Sequence, residues 1–184
     1  MLFNILQQEE VTRAVVFANK RETVQTLSGK LYGNELPCAW LEGNMPQDKR
    51  NKAVDRLRNE KVNILIATDV AARGLDIDDI SHVINFDMPR KVDIYIHRIG
   101  RTGRAGNKGT AISLVEAHDM GVIGKIERYT KERLSRRFIQ DLRPQNKESR
   151  VVNKKAKIKL STAQKKAKAK KQVKKKAKRA KAAK

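Results

Sequence analysis

The fold is decided by the stretch Val62-Asn63-Ile64-Leu65-Ile66-Ala67 and by the residues Thr68-Asp69-Val70-Ala71-Ala72-Arg73-Gly74 that follow it. The first part is a short apolar run with several β-branched residues, which is typical of a strand buried on both faces. In the second part, Asp69 could cap a short helix over residues 70–73, and Gly74 could end that helix in a left-handed conformation. The stretch therefore predicts a strand, a polar junction and a short helix.

The same alternation repeats along the chain. Four further apolar runs predict strands at residues 13–18, 38–41, 82–86 and 109–115. Helices are predicted at residues 20–31, 46–59, 93–99 and 118–130, with Asn44 as a cap and Pro46 in the first turn of the second one. This order predicts an α/β fold, a parallel sheet with helices on both faces. Ligands of such folds bind at the carboxyl ends of the strands, so the loops that follow the strands are the candidate sites.

The strongest chemical signal is the segment His97-Arg98-Ile99-Gly100-Arg101-Thr102-Gly103-Arg104-Ala105-Gly106. Its three arginines recur every three residues, so a helical turn or two would place them on one side, with Arg104 where the helix ends. The glycines remove side chains that would block a ligand or a second domain. Guanidinium groups bind phosphate oxygens in bidentate fashion, so the segment predicts a phosphate site. The alternative interpretation is a solvated basic surface with flexible glycines.

The charge of the chain is concentrated at its end. Among 184 residues, 42 Lys and Arg against 20 Asp and Glu give a net charge of +22. Residues 147–184 hold 16 Lys, 2 Arg and 1 Glu, which leaves a net charge of only +5 on residues 1–146. We expect this Lys/Ala-rich tail to be disordered, because its repulsion and lack of large apolar groups cannot offset the ordering entropy. It suits a polyanion such as RNA, and the alternative is a solubilising tail without a target.

The composition also excludes several classes of protein. No apolar run approaches the roughly 20 residues that span a bilayer, and residues 1–10 lack the features of a secretory signal. The single cysteine, Cys38, excludes an internal disulfide and a cysteine-clustered metal site. We therefore expect a cytoplasmic protein with no membrane partner and no metal site of its own. An aromatic content of 4% disfavours an RNA module based on stacking, and Trp40 is interpreted as a core residue.

Four segments together resemble one family. Residues 67–77 and 97–106 resemble motifs V and VI of superfamily 2 helicases, and specifically of DEAD-box ATP-dependent RNA helicases. Residues 15–21 resemble motif IV, and residues 43–50 resemble the Gly…Gln-x-x-Arg element. All lie in the order of the family, over roughly residues 11–117. The resemblance implies a RecA-like C-terminal lobe at residues 11–146, preceded by a leading helix or lobe junction at 1–10.

Smaller features resemble one branch of that family. Leu41-Glu42-Gly43, Phe86-Asp87-Met88-Pro89 and residues 113–119 look most like a bacterial subgroup that acts in ribosome assembly. Glu42 stands where many members have His, a departure that this subgroup shares. The resemblance therefore implies structured ribosomal RNA of the large subunit as the substrate, and it adds ribosomal proteins and the first RecA-like lobe as partners.

The resemblance also assigns residues to ATP. Arg101 and Arg104 would be arginine fingers that reach the γ-phosphate of ATP bound mainly on the first lobe, an effect of about 10³–10⁵ in rate in comparable enzymes. Asp76 would contact the ribose. His97, Arg98 and Arg73 would couple the lobes, although a lone histidine is otherwise a packed or exposed residue. The implied cofactors are ATP and Mg²⁺, with the Mg²⁺ held mainly by the first lobe.

A second set of residues is implied to bind RNA. Thr68, Gly74, Gln47, Arg50 and Gly43 would contact the backbone of the strand, where hydroxyl and amide donors suit phosphate. Such contacts do not read base edges, so little sequence specificity is expected. The alternatives are that Gln47 and Arg50 are ordinary exposed residues of a first helical turn, and that Thr68 belongs to a common strand–cap–helix junction.

Two motifs of a complete helicase are not in this sequence. It contains no G-x-x-x-x-G-K-[ST] segment and no Asp-Glu-Ala-Asp, so the phosphate-binding lysine and the Mg²⁺-binding acid are absent. We expect a one-lobe piece that does not hydrolyse ATP alone. One alternative is a non-enzymatic RNA-binding or assembly protein, which an upstream reading frame encoding the first lobe would argue against. Another alternative is a DNA helicase of the same superfamily. The residues of motifs V and VI argue against this alternative.

Overall fold

A five-stranded parallel sheet forms the centre of the computed structural model, which describes residues 1–74, 77, 79–104 and 107–137. The strands are β1 (Ala14–Phe17), β2 (Cys38–Leu41), β3 (Ile64–Ala67), β4 (His82–Asn85) and β5 (Thr110–Ser113). Their order in the sheet is β2-β3-β1-β4-β5, and every neighbouring pair is parallel. The five predicted strands are confirmed. Asp76 and the predicted disordered tail lie outside the described residues.

The helices follow the strands as the sequence predicts. They are α1 (Leu2–Leu6), α2 (Arg21–Gly33), α3 (Gln47–Arg58), α4 (Asp69–Ala72), α5 (Val92–Ile99) and α6 (Met120–Thr130), with a 3₁₀ turn at Ala117–Asp119. Both predicted caps are wrong. Pro46 occupies the cap position of α3 and Thr68 that of α4, each without a side-chain capping bond. Asp69 instead opens α4 and gives its carboxylate to an arginine elsewhere in the chain.

Two hydrophobic clusters cover the two faces of the sheet, because successive side chains of a strand point to opposite faces. Phe17 packs in the cluster that includes Leu57 of α3. Its neighbour Val16 packs in the other cluster, with Leu31 of α2, and Trp40 is partly buried against that cluster. Every residue of β1, β3 and β4 is buried, whereas β5 lies at the edge of the sheet with an exposed first half. The RecA-like arrangement with helices on both faces is confirmed.

The register brings three strand ends to one place. Phe17 at the end of β1 pairs with Ala67 of β3 on one side and with Asn85 of β4 on the other. The loops that start at Ala18, Thr68 and Phe86 therefore leave the sheet side by side. Within the described part of the chain, no helix is long and apolar enough to cross a membrane.

Candidate functional site

Arg98 lies at the centre of this edge of the sheet. Its side chain is 1% exposed, and each of the five N–H donors of its guanidinium has an acceptor. Nε and Nη2 donate to the two carboxylate oxygens of Asp69, at 2.6 and 2.8 Å. Nη1 donates to Oδ1 of Asn85 at 3.1 Å and to the backbone carbonyl of Asp87 at 2.7 Å. The second Nη2 hydrogen goes to Oδ1 of Asn19, at 2.8 Å.

These acceptors come from the carboxyl ends of three different strands, Asn85 from the last position of β4 and the others from the segments that follow the strands. Asp69 follows β3, Asn19 follows β1 and Asp87 follows β4. Two further bonds join the last two loops directly. The backbone N–H of Asn19 donates to the Asp87 carboxylate at 2.8 Å, and its side-chain amide donates to the carbonyl of Met88 at 2.9 Å. The loops are therefore cross-braced around one buried charge, and none of them can shift without breaking a charge-assisted hydrogen bond.

The end of β4 contributes a buried polar layer beneath the guanidinium. Asn85 is fully buried, and its side-chain amide donates to Oγ of Ser113 in β5 at 3.0 Å. The hydroxyl of Tyr95 also hydrogen-bonds to Ser113. Burial raises the pKa of Tyr95 although this hydrogen bond acts in the opposite direction, so the phenol stays neutral at pH 7. The ring of Phe17 completes the surroundings of Arg98, with its centroid 5.1 Å from the guanidinium carbon.

The three arginines of the predicted phosphate segment do not share one helical face. The helix α5 ends at Ile99, as the helix prediction over residues 93–99 has it. The expectation that Arg104 lies where the helix ends is wrong, because Arg101 and Arg104 lie in the loop beyond it. Gly100 is the C-cap, and Gly103 adopts a left-handed φ of 68°, which turns the chain away from the helix axis. The segment thus divides into one buried arginine inside the lobe and two on the loop.

The arginine loop, residues 100–104, is held at the start of β4. The hydroxyl of Thr102 donates to the backbone carbonyl of Ile80. Gly109 closes over this contact, since a Cβ atom at Gly109 would collide with the Thr102 hydroxyl and with the backbone nitrogen of Gly103. A side chain at Gly109 would therefore displace the loop.

The two loop arginines have different surroundings. Arg101 is half-buried and lines a small apolar pocket that also contains Ile77 and Ile80. Arg104 is exposed, and its Nε donates to the carbonyl of Gly100 at 2.8 Å. His97, on the last turn of α5, is exposed as well. Neither loop arginine is enclosed as Arg98 is, because Arg101 is half-buried and Arg104 is exposed.

The predicted RNA-binding residues of α3 lie in an open groove of ≈ 660 Å³. The groove is lined by Gln47, Arg50, Asn51, Val54, Asp55, Arg58 and Gly74. Nη2 of Arg50 donates to the backbone carbonyl of Arg73 at 3.0 Å, which ties α3 to the turn after α4. Gly74 has a φ of 68° in that turn, as predicted. The structure therefore brings Gln47, Arg50 and Gly74 together.

The remaining predicted RNA-binding residues lie outside that groove lining. Thr68 is the least accessible of the set, with 8% of its surface exposed. Gly43 is exposed, and a Cβ atom there would make only ordinary contact with Val70 at 3.7 Å. Arg73, which was predicted to couple the lobes and not to bind RNA, is exposed and contributes its backbone carbonyl to Arg50. In the described ranges, no group of three or more His, Cys, Asp or Glu side chains is placed to hold a metal ion.

Sequence reasoning missed several residues of the site, among them Asn19, Asn85, Thr102 and Gly109. A buried amide inside an apolar strand costs free energy unless it is hydrogen-bonded, so Asn85 in the fourth apolar run was a usable signal. Asn19 shows only as a polar residue after a strand. Nothing local marks Thr102 or Gly109, because their contacts join segments distant in the chain.

The sheet order, the braced edge and the arginine loop define a RecA-like lobe of a nucleic-acid helicase. Residues 1–106 match the family described as helicase conserved C-terminal domain. The chain belongs to this helicase C-terminal domain family, in its DEAD-box branch. The predicted resemblance is therefore confirmed.

Two curated relatives are bacterial proteins named ATP-dependent RNA helicase SrmB. The one from Haemophilus influenzae is 50% identical over 165 residues, which are 87% of this chain and 38% of the relative. The one from Escherichia coli is 55% identical over 147 residues, which are 80% of this chain and 33% of the relative. The chain thus spans little more than a third of the length of these relatives.

A solved structure of E. coli SrmB is also similar to this chain. It shows the DEAD-box protein bound to regulator of ribonuclease activity A. The TM-score to this chain is 0.76 at 55% identity, covering 80% of this chain and 87% of the solved one. The predicted likeness to one bacterial subgroup is confirmed by these relatives.

Proposed function

We propose that this chain is the C-terminal lobe of an ATP-dependent DEAD-box RNA helicase, which binds RNA backbone and supplies arginine fingers for ATP hydrolysis. The observation that carries the proposal is the buried ion pair between Arg98 and Asp69. It joins the segment that ends in Arg101 and Arg104 to the loop that starts at Thr68. A lobe that converts ATP hydrolysis into movement of RNA needs such a connection.

On the ATP side, Arg101 and Arg104 would stabilise the charge that develops on the transferred γ-phosphate. Their accessible loop, fixed by Thr102, suits a ligand bound mainly on the first RecA-like lobe. Asp76 is proposed to contact the ribose. Mg²⁺, held mainly by that first lobe, would neutralise phosphate charge. His97 and Arg73, both exposed, are proposed to couple the lobes.

On the RNA side, Gln47, Arg50 and the backbone at Gly74 would hold phosphates in the groove, and Thr68 and Gly43 would add further contacts to the strand. Contacts of this kind position a strand without reading its bases, so the lobe would recognise the RNA backbone and not a particular base sequence. From the family resemblance alone, we propose ribosomal RNA of the large subunit as the target, ribosomal proteins as neighbours and the cytoplasm as the location.

A fusion tests the ATP side. We would place the first RecA-like lobe of E. coli SrmB before this chain and measure RNA-stimulated ATP hydrolysis. Arg101→Ala and Arg104→Ala should each lower kcat by about 10³-fold or more, because an arginine finger acts on the transition state. RNA binding, measured by fluorescence anisotropy without nucleotide, should change little. Full kcat in the double variant would show that neither residue is an arginine finger.

The same fusion tests the RNA side. Arg50→Gln should raise the RNA concentration that gives half-maximal stimulation, while kcat at saturating RNA stays close to that of the parent. Lys52→Gln removes one charge from the same helix outside the groove lining, so it is the matched control. Equal effects of the two variants would contradict the assignment of the groove.

A second function is favoured by the sequence itself. It contains neither the phosphate-binding lysine segment nor the Asp-Glu-Ala-Asp motif, so the chain by itself suits an RNA-binding assembly protein without ATPase activity. The purified chain should then bind RNA and show no RNA-stimulated phosphate release. Release that disappears in Arg101→Ala would contradict this candidate, because contaminating ATPases would not respond to the substitution.

A further inference from the structure

The groove on α3 extends well past the residues of the proposed RNA site. We propose that the RNA strand continues along α3 to its last turn, where Arg58 binds a second phosphate. This inference rests on the proposed RNA-binding function and adds to it the carboxyl half of α3, through Asn51, Asp55 and Arg58.

The position of these residues on the helix supports a continuous track. Asn51, Asp55 and Arg58 follow Gln47 at spacings of three and four, so they occupy one face of α3. Arg58 lies eight residues beyond Arg50, which at the rise of an α-helix is about 12 Å. One phosphate group cannot reach both guanidinium groups over that distance, so Arg58 would hold a different phosphate.

The chemistry of the lining suits an extended strand. Arg58 is exposed at the end of α3, and its planar fork can bind phosphate oxygens. Asn51 accepts a hydrogen bond from Gln47 at 2.9 Å, which fixes its amide in the groove wall. Val54, 7% exposed, gives the groove an apolar floor beneath the track. The track thus has a cationic side chain at each end, with Asn51, Val54 and one carboxylate, that of Asp55, between them.

Two features disfavour phosphate binding at the last turn of α3, and both limit how a phosphate could be held there. The carboxyl end of a helix carries partial negative charge, so a phosphate there must be held by the Arg58 side chain and not by the backbone. Asp55 also lines the groove and repels phosphate. Arg56, the other arginine of the last turn, is not in the groove lining, and its Nη2 donates to the Tyr32 hydroxyl at 3.1 Å. Arg58 is therefore the cation of the last turn that lines the groove.

The test compares Arg58→Gln with Lys52→Gln in the full chain. Lys52 lies on the same helix, outside the groove lining, and both substitutions remove one exposed charge. Anisotropy would be measured with oligouridines of about 4 to about 12 nucleotides, lengths typical of single-strand sites. Arg58→Gln should weaken binding of the long RNAs by about 5-fold and leave the shortest unchanged. The salt slope should become less steep by ≈ 0.7, the value for one phosphate contact on a single strand.

The variants separate this inference from the proposed function. Every variant carries the same residues 147–184, so any contribution from them cancels in the comparison. If Arg50→Gln weakens binding but Arg58→Gln behaves like Lys52→Gln at every length, the extension is wrong and the RNA site stands. If Arg50→Gln also has no effect, both fail. Asp55→Asn supplies an independent check, because removal of the repelling charge should tighten binding of the long RNAs, and unchanged affinity would count against the track.

Discussion

Replacing Arg98 with Met removes the charge around which the loops at the carboxyl edge of the sheet are arranged. Met fills much of the same volume with an apolar side chain, so the main loss is electrostatic and not a cavity. The acceptors left behind are both carboxylate oxygens of Asp69, the amide oxygens of Asn19 and Asn85, and the carbonyl of Asp87. We expect this substitution to be among the most destabilising in the described residues.

The expected loss of stability in Arg98→Met is estimated from the burial of its ion pair and not from a sum of hydrogen-bond energies. Adding five hydrogen bonds at about 0.5–1.5 kcal/mol each ignores the cost of burying the guanidinium, so the sum is too large. Removing one partner of a buried ion pair costs roughly 3–5 kcal/mol, mainly because the other charge stays buried. Asp69 is 23% exposed and regains some water, so the low end, about 3 kcal/mol, is expected. For a domain of this size that lowers Tm by roughly 6–12 °C.

A double-mutant cycle isolates the ion pair. Asp69→Asn alone should also be costly, since it leaves the Arg98 charge buried, and the double variant should cost less than the two single losses together. Urea unfolding of all four proteins gives the coupling, expected to exceed about 1 kcal/mol. Glu60→Gln is the control, because Glu60 pairs with Arg13 at 3.0 Å but is 76% exposed, and such pairs contribute about 0–1 kcal/mol. A loss below about 1 kcal/mol for Arg98→Met, or a coupling within about 0.5 kcal/mol of zero, would refute the reasoning.

Three further substitutions test individual contacts. Gly109→Ala should destabilise the protein by about 1–3 kcal/mol in urea unfolding, because its Cβ would collide with Thr102 beneath the arginine loop. Gly74→Ala should cost roughly 1–2 kcal/mol, because φ is 68° there, whereas Gly29→Ala in the open middle of α2 should stabilise by about 0.5–1 kcal/mol. Burial lowers the pKa of His82 below 6.5. Just below pH 6.5, the unfolded chain therefore binds more protons than the folded chain does. The stability of the fold consequently falls as the pH drops through this range. His82→Gln should remove that part of the slope.

Most of the fold could be predicted because burial leaves a direct trace in a parallel sheet. Strands covered on both faces are continuous apolar runs, and β1, β3 and β4 are buried at every position. The helix caps could not be predicted in the same way. Asp69 has the residue type of a cap, but a buried guanidinium 29 positions away binds its carboxylate more strongly than a helix end would.

The candidate site was predictable in its residue types and less so in its arrangement. A spacing of three suggested that the arginines act together, yet the chain leaves the helix at Gly100, which separates Arg98 from the other two. The partners of Arg98 lie up to 79 positions away, at Asn19, and no local pattern reports such a contact. What a sequence shows here is which groups must find partners, since an arginine in the core needs acceptors for every donor.

The burial of Arg98 bears on how a helicase lobe would couple its two ligands. All five of its donors are used within the lobe, so its part in coupling would be indirect, through the residues that it positions. Lysine could not replace it, because three ammonium donors on a flexible stem cannot hold acceptors from three loops in one plane. In the proposed cycle, Arg101 and Arg104 would sense ATP, and Gly74 would sense RNA. The Arg98 guanidinium binds acceptors that follow three strands, so in this cycle a shift forced at one loop would be transmitted to the other.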